Sequence, residues 1–307
     1  MGKIAFVFSG QGAQYSGMGK SLYDLNGAAK RLYDEAERYR PGTKAQSFEG
    51  SAEELRQTKN TQPCLYLVDL SAALSLNENG IYADAAAGFS LGEIAALAYA
   101  GAYSYADGFR IVTKRGELMQ RSAEQSGNTA MCAVLKLDSK TVADTASQLE
   151  ELYAVNFNSP GQTVVSGLSG SMPAFEEKIK ELGGRCMPIP VSAAFHSPFM
   201  ESAAGSFGEY LSGQDFSKTK IPVYANLTAR PYGSDFAGYL EKQIKSPVRW
   251  QETIENMIAD GFTDFIEVGA GKTLCNLIKR ISKQVNVYSV EDEKSLNETV
   301  KAVKANA

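Results

Sequence analysis

Two features of the 307-residue chain could do chemistry together: a single histidine, His196, and one Gly-x-Ser-x-Gly segment, Gly88-Phe89-Ser90-Leu91-Gly92. A serine hydroxyl is a poor nucleophile until a nearby base takes its proton, and histidine is best matched to that task near neutral pH. If Ser90 is activated by an imidazole, His196 is the one candidate. The Gly-x-Ser-x-Gly pattern sets a nucleophile on a sharp strand-to-helix turn. Small neighbours let the backbone pass closely, and the next N–H, that of Leu91, points at a forming oxyanion from the positive end of a helix. The pattern alone occurs by chance in many proteins. Here the context fits, with a small-residue strand before it and an alanine-rich helix after it. The alternatives are a structural turn serine and a capping or core histidine. The usual third member, a buried Asp or Glu, is not identifiable from the sequence.

The elements that must position these residues read as an α/β chain. Ile4 to Phe8 is a short buried strand, followed by the loop Ser9-Gly10-Gln11-Gly12-Ala13-Gln14 and a helix from about Ser21. Thr61 is a plausible N-cap for a helix with Pro63 in its first turn that stops at Asn79-Gly80. Ala83 to Ala87 leads into Gly88, and Glu93 to Ala98 is a strong helix former. Tyr105 to Gln125 is an amphipathic helix with Phe109, Val112, Gly116 and Met119 on one face and Arg115 displaced from it. From 127 to 191 the order is β-α-β-β-α-β: strands at Thr129–Leu137, Leu152–Asn156, Thr163–Leu168 and Arg185–Pro190, helices at Ser139–Glu150 and Met172–Leu182. That order is the split βαβ of ferredoxin-like domains. The expected division is a larger domain, 1–126 and 192–307, resuming near Ser192, with 127–191 inserted. Later strands at Val223–Ala225, Thr263–Val268 and Val285–Val290 alternate with helices, which argues for a mostly parallel sheet covered on both faces.

Composition excludes several classes. A hydrophobic content of 44%, a charged content of 21% and a net charge of -4 are ordinary for a soluble globular chain, and no basic run suggests nucleic acid. Cys64, Cys132, Cys186 and Cys275 are scattered, which reads as reduced thiols in a reducing compartment and makes a zinc site improbable. No secretion signal is visible, and no stretch approaches the ~20 apolar residues of a membrane span, so the expected location is the cytoplasm. Two glycine loops are decoys. A dinucleotide fingerprint starting at Gly10 would need a third glycine where Tyr15 stands, and a phosphate loop ending at Gly271-Lys272-Thr273 would need one at Ile266.

Taken together, seven segments resemble the malonyl-coenzyme A:acyl carrier protein transacylases of fatty acid synthesis and the acyltransferase domains of polyketide synthases. They are Phe8-Ser9-Gly10-Gln11-Gly12-Ala13-Gln14, Gly88-Phe89-Ser90-Leu91-Gly92-Glu93, Lys114-Arg115-Gly116, Asn156-Phe157-Asn158-Ser159-Pro160-Gly161-Gln162, Ala194-Phe195-His196-Ser197, Pro247-Val248-Arg249-Trp250 and Glu267-Val268-Gly269-Ala270-Gly271. They run in the family's order over nearly the whole chain.

The resemblance implies an α/β-hydrolase-like domain with a ferredoxin-like insertion. It implies that Ser90 is the nucleophile, His196 the base, and the backbone N–H groups of Gln11 and Leu91 the oxyanion hole. Arg115 would pair bidentately with the free carboxylate of malonate, a task suited to a planar guanidinium; the alternative is a solvated helix charge. The backbone carbonyl of Arg249 would orient His196. Asn158 and Gln162 would line the cleft, or form only a polar turn. The reaction implied is ping-pong transfer of malonate from malonyl-coenzyme A to acyl carrier protein, by a monomer without metal or cofactor, membrane or nucleic acid. One departure stands out: Phe89 replaces the family's usual histidine before the nucleophile. Phe195 resembles malonyl-selective members, because its ring would crowd a branched extender. Arg185, Lys279 and Arg280 are the implied docking charges for an acidic carrier, or ordinary surface charges. The competing readings are a stand-alone polyketide acyltransferase, an acyl hydrolase or thioesterase on the same scaffold, and a non-catalytic binding module.

Overall fold

Ala85-Ala86-Ala87-Gly88 is a strand of small, fully buried residues, and Lys3–Phe8 buries every side chain after Lys3. Strands buried on both faces need helices on both sides, which parallel sheets obtain from their crossovers. The computed structural model, which describes residues 2–191 and 193–306, follows that plan. β1 (Lys3–Phe8) leads through α1 (Lys20–Asp24), α2 (Ala28–Tyr39), α3 (Thr43–Glu49) and α4 (Ala52–Arg56) to α5 (Thr58–Glu78). β2 (Ala85–Gly88), α6 (Gly92–Tyr99) and α7 (Tyr105–Gln125) complete the first part. The last part holds α10 (Glu201–Leu211), β7 (Val223–Tyr224), α11 (Phe236–Ile244), α12 (Trp250–Ala259), β8 (Phe262–Val268), α13 (Thr273–Ile281), β9 (Asn286–Val290) and α14 (Glu293–Ala305).

These parts share one wholly parallel sheet in the order β7-β2-β1-β8-β9. Phe6 and Phe8 bury one of its faces under α5, α6 and α7, while Ala5, Val7 and Phe265 bury the other against Trp250 and Ile278. α5 is buried on all sides, as expected of a helix that crosses the centre of a large core. It begins at Thr58, three residues before the expected cap. The Asn60 and Thr61 N–H groups both donate to the Gln57 carbonyl, and the Thr61 hydroxyl donates to the Leu55 and Gln57 carbonyls instead of capping.

Between these parts lie β3 (Thr129–Leu135), α8 (Ser139–Ala146), β4 (Leu152–Ser159), β5 (Gln162–Leu168), α9 (Met172–Glu181) and β6 (Arg185–Ile189). The four strands form an antiparallel sheet in the order β4-β5-β3-β6, which is the ferredoxin-like arrangement the pattern predicts. Strand alternation divides its two faces. Cys132, Val134 and Val165 pack under α8 and α9 with Phe175 and Ile179, while Met131, Val155 and Val164 turn to the core of the parallel unit. Two register irregularities in β4, at Ala154/Asn156 and Phe157/Ser159, carry the strand past its expected end, so Asn158 lies in a strand rather than a turn. The edge of β4 is covered by residues 247–249: Val248 N–H donates to the Val155 carbonyl (2.8 Å) and Phe157 N–H to the Val248 carbonyl (2.9 Å). The expected resumption of the larger unit at Ser192 falls outside the described residues.

Candidate active site

β1 and β2 are neighbours, and the loops leaving their C-terminal ends carry Gln11 and Ser90. Between β2 and α6 the chain turns so sharply that Ser90 takes φ of 54°, left-handed for a residue with a side chain. Such a conformation costs about 1–3 kcal/mol and persists only where the surroundings over-determine it. Here the two flanking glycines are obligatory. A Cβ on Gly88 would sit 2.0 Å from the Gly92 carbonyl carbon, and one on Gly92 would sit 2.4 Å from the Phe8 and Ser9 carbonyl oxygens. Distant side chains hold the turn: Ser90 N–H donates to Asn226 Oδ1 (2.7 Å), and Gln243 Nε2 donates to the Ser90 carbonyl (2.9 Å). Gly92, Glu93 and Ile94 then donate to Phe89, Ser90 and Leu91, closing the first turn of α6.

Ser90 Oγ lies 2.8 Å from His196 Nε2. His196 Nδ1 faces two carbonyl oxygens, of Gln243 (3.0 Å) and Ser246 (3.2 Å). Carbonyls only accept, so Nδ1 carries the proton and Nε2 presents its lone pair to the Ser90 hydroxyl. Burial, and then the nearby Arg115 charge, push the His196 pKa down to about 4 against those two carbonyls. The ring is therefore neutral at physiological pH and able to accept a proton.

Arg115 completes the floor. It is fully buried rather than a solvated helix charge, and it lies on the buried stripe of α7 rather than displaced from it: Gly108, Ile111, Val112, Met119 and Ser122 share that stripe. Its Nη2 donates to Ser90 Oγ (3.1 Å) and Gln243 Oε1 (2.7 Å), and its Nη1 to Gln62 Oε1 (3.0 Å). All three partners are neutral oxygens. Burial lowers its pKa to about 10, with Glu93 and Tyr232 opposing the shift, so the guanidinium stays charged. A buried cation with neutral partners, beside a nucleophile, is suited to an incoming anion.

A cleft of about 350 Å³ opens above these groups, lined by Gln11, Phe89, Ser90, Phe195 and His196 together with Met131 and Asn156 of the antiparallel sheet. An adjoining cavity of about 310 Å³ reaches Asn158 and Gln162. Asn158 is buried and its Oδ1 has no hydrogen-bond partner among the described residues. Gln162 sits at the rim, where its Oε1 accepts from Arg280 Nη1. Leu91 is fully buried at the start of α6. The Phe89 ring rests edge-on against Trp250, with centroids 5.5 Å apart. Arg185, Lys279 and Arg280 are exposed.

The expectation for Arg249 fails. Its carbonyl accepts from the Thr253 N–H and hydroxyl inside α12, its N–H donates to the Asn226 carbonyl, and its side chain pairs with Glu252. The carbonyls that hold His196 lie three and six residues earlier, at the end of α11, where a terminating helix leaves its last carbonyls without intrahelical partners. Four participants went unread in the sequence: Gln62, Gln243, Asn226 and Glu93. They are neutral amides or a helix carboxylate scattered over four segments, and only the closed fold brings them together. Glu93, the last residue of the Gly88–Glu93 segment, carried the one local hint.

A parallel α/β sheet that sets a left-handed serine against a neutral histidine at the carboxyl edge of its strands is an arrangement shared with enzymes of the serine-nucleophile class. The chain belongs to the acyl transferase domain family, whose model matches residues 5–305, and it is an acyltransferase. It is 40% identical over 313 residues to the malonyl CoA-acyl carrier protein transacylase of Bacillus subtilis (strain 168), covering 99% of this chain and 98% of that protein. It is 36% identical to the enzyme of that name from Synechocystis, over 96% and 99% of the two chains. Among solved structures, the malonyl CoA-acyl carrier protein transacylase of Clostridium perfringens superposes with a TM-score of 0.94 at 34% identity, covering 99% and 98% of the two chains. A malonyl-transacylase in complex with its holo type II polyketide synthase acyl-carrier protein superposes with a TM-score of 0.93 at 31% identity, covering 98% and 99%. Among the described residues no helix is long and apolar enough to cross a membrane, and no group of His, Cys, Asp and Glu could hold a metal ion.

Proposed function

We propose that this chain transfers malonate from malonyl-coenzyme A to the phosphopantetheine thiol of acyl carrier protein. The observation that carries this reading is the convergence on Ser90 Oγ of a neutral imidazole nitrogen at 2.8 Å and a buried guanidinium at 3.1 Å. His196 takes the Ser90 proton as Oγ attacks the thioester carbonyl. The backbone N–H groups of Gln11 and Leu91 receive the oxyanion, and removing one such donor typically costs on the order of 10² to 10³ in rate. Coenzyme A leaves with the proton from His196. Arg115 exchanges its hydrogen bonds to neutral oxygens for the malonyl carboxylate and so fixes the acyl group. The carrier thiol then gives its proton to His196, attacks the malonyl-serine, and the steps reverse. Gln243 and Ser246, through their carbonyls, keep the imidazole in the working tautomer in place of a carboxylate.

Phe195, at the cleft wall, favours the unbranched malonyl group over methylmalonyl. Asn158 and Gln162 line the path of the pantetheine arm, and Arg185, Lys279 and Arg280 offer positive charge to an acidic carrier. No metal or organic cofactor takes part, and the enzyme works in the cytoplasm. Its working unit is a monomer. Residues 127–191 form a unit inserted between 1–126 and 192–307. Intact-mass spectrometry of holo acyl carrier protein with malonyl-coenzyme A tests the reading. Wild-type enzyme should yield malonylated carrier and Ser90→Ala none. Free malonate without loaded carrier would identify a hydrolase instead.

A further inference from the structure

Beneath the nucleophile turn lies a buried amide–carboxylate pair to which the transfer steps assign no task. β2 and β7 run side by side with Ala86 opposite Val223 and Ala87 opposite Tyr224, and then their main chains diverge. The Asn226 side chain fills the gap. Its Oδ1 accepts from Ser90 N–H at 2.7 Å, and its Nδ2 donates to the Gly88 carbonyl at 2.6 Å. One amide thus offers the same acceptor and donor that the next peptide group of β7 would have offered, and the orientation is fixed because Ser90 N–H can only donate and the Gly88 oxygen only accept. Asn226 is held in turn by Glu93, in the first turn of α6. Glu93 Oε2 accepts from Asn226 N–H at 2.6 Å, and its Oε1 accepts from the Tyr232 hydroxyl. Residues 225–231 close on themselves through Ala225 N–H to the Arg230 carbonyl, and Tyr232 N–H returns to Val223. Glu93 therefore ties both ends of that loop to the helix that the nucleophile turn begins. Glu93 and Asn226 are both fully buried.

We infer that Asn226 and Glu93 are positioning residues for the nucleophile: Asn226 holds the left-handed Ser90 by continuing the β2–β7 ladder with its side chain, and Glu93 holds Asn226. This rests on the reading of Ser90 as nucleophile. The ionised carboxylate suits the arrangement, since the Asn226 N–H and the Tyr232 hydroxyl both donate to it. Burial lifts the Glu93 pKa to about 7, against the hydrogen bonds of Tyr232, Asn226 and Gln243 and the charge of Arg115; Tyr103 is the other titratable group that faces it. As pH falls through about 7 the carboxyl gains a proton, one acceptor becomes a donor, and the grip on Asn226 loosens.

The test reads Ser90 directly, through the second-order rate of its labelling by a fluorophosphonate, beside malonyl transfer and thermal unfolding. Asn226→Ala should slow both labelling and malonyl transfer by about 10- to 100-fold, with KM for malonyl-coenzyme A within about threefold of wild type. Asn226→Asp, which keeps the acceptor and loses the donor, should fall between. The wild-type labelling rate should drop as pH falls through about 7, and Glu93→Gln should remove that inflection. If both Asn226 variants label at the wild-type rate, or if the losses follow the fraction unfolded in every variant, the inference is wrong. Labelling that slows as expected in a protein that fails to malonylate any carrier would keep this inference and overturn the transfer reading.

Discussion

The parallel and antiparallel sheets face each other across one cleft, and the polar groups they present to it differ. Around Ser90, on the parallel side, nearly every such group is engaged, while Asp69 Oδ2, Ser71 Oγ and Trp250 Nε1 elsewhere in that unit have no partner among the described residues. Ser90 has its N–H, carbonyl and hydroxyl all bonded, His196 has both ring nitrogens occupied, and Arg115 leaves only Nε without a partner. On the antiparallel side Asn156 Oδ1 and Asn158 Oδ1, which line the cleft and its adjoining cavity, have none among the described residues. A satisfied network is rigid and already in its working geometry, whereas an unpaired buried acceptor gains when a ligand donor reaches it. The difference leads us to expect that the two walls divide the labour: one would set the rate of the chemical step, the other the affinity for what is held against it.

Substitutions can break that division or sharpen it. Ser90→Ala or His196→Ala on the parallel side should lower kcat by about 10⁴-fold or more with little change in KM, measured by carrier loading under steady state. Arg115→Gln should cut kcat/KM for malonyl-coenzyme A by about 10²-fold while leaving an acyl-coenzyme A without a distal carboxylate much less affected. Burial holds the His196 pKa down near 4 with the Arg115 charge adding to it; the same variant removes that charge, so the acid limb of its pH–rate profile should move to higher pH. Phe195→Ala should raise kcat/KM for methylmalonyl-coenzyme A by roughly 10-fold relative to malonyl, within the range a pocket that rejects one methyl commands. Asn158→Ala, on the antiparallel side, should raise KM by about 3- to 10-fold and leave kcat within twofold, as loss of one hydrogen bond implies. A kcat effect at Asn158 as large as its KM effect would erase the contrast between the walls.

Much of this molecule is legible in its sequence, and the pattern of failures is physical. Tyr105–Gln125 is bounded by Ser104, whose side chain caps the helix by accepting from Asp107 N–H, so its start is written locally. The βαββαβ order is legible because alternation and turn residues are local signals. Arg115 is placed by the Lys114-Arg115-Gly116 segment, while its helix position alone leaves a solvated charge open; the amides of Gln62 and Gln243, from α5 and α11, make its burial tolerable. The Arg249 error has a different origin. The carbonyls at His196 are chosen by where α11 stops relative to the ring, and no side-chain identity encodes that distance. Residues set in a local motif leave a trace in the alphabet, and those that meet the site only when distant segments close do not.

The placement of the inserted unit bears on how the chain folds. Ser90 and His196 are 106 residues apart in sequence, and the insertion lies wholly between them. Its first and last strands, β3 and β6, are direct neighbours, with Met131 opposite Ile189. Once those strands pair, more than half of the loop that separates base from nucleophile is pinned shut. Each halving of a flexible loop lowers its closure entropy by about 0.6 kcal/mol. The antiparallel sheet would therefore act as a clasp as well as a wall: without the β3–β6 pairing Ser90 and His196 must meet across the full length of a floppy chain, and with it that search is shorter.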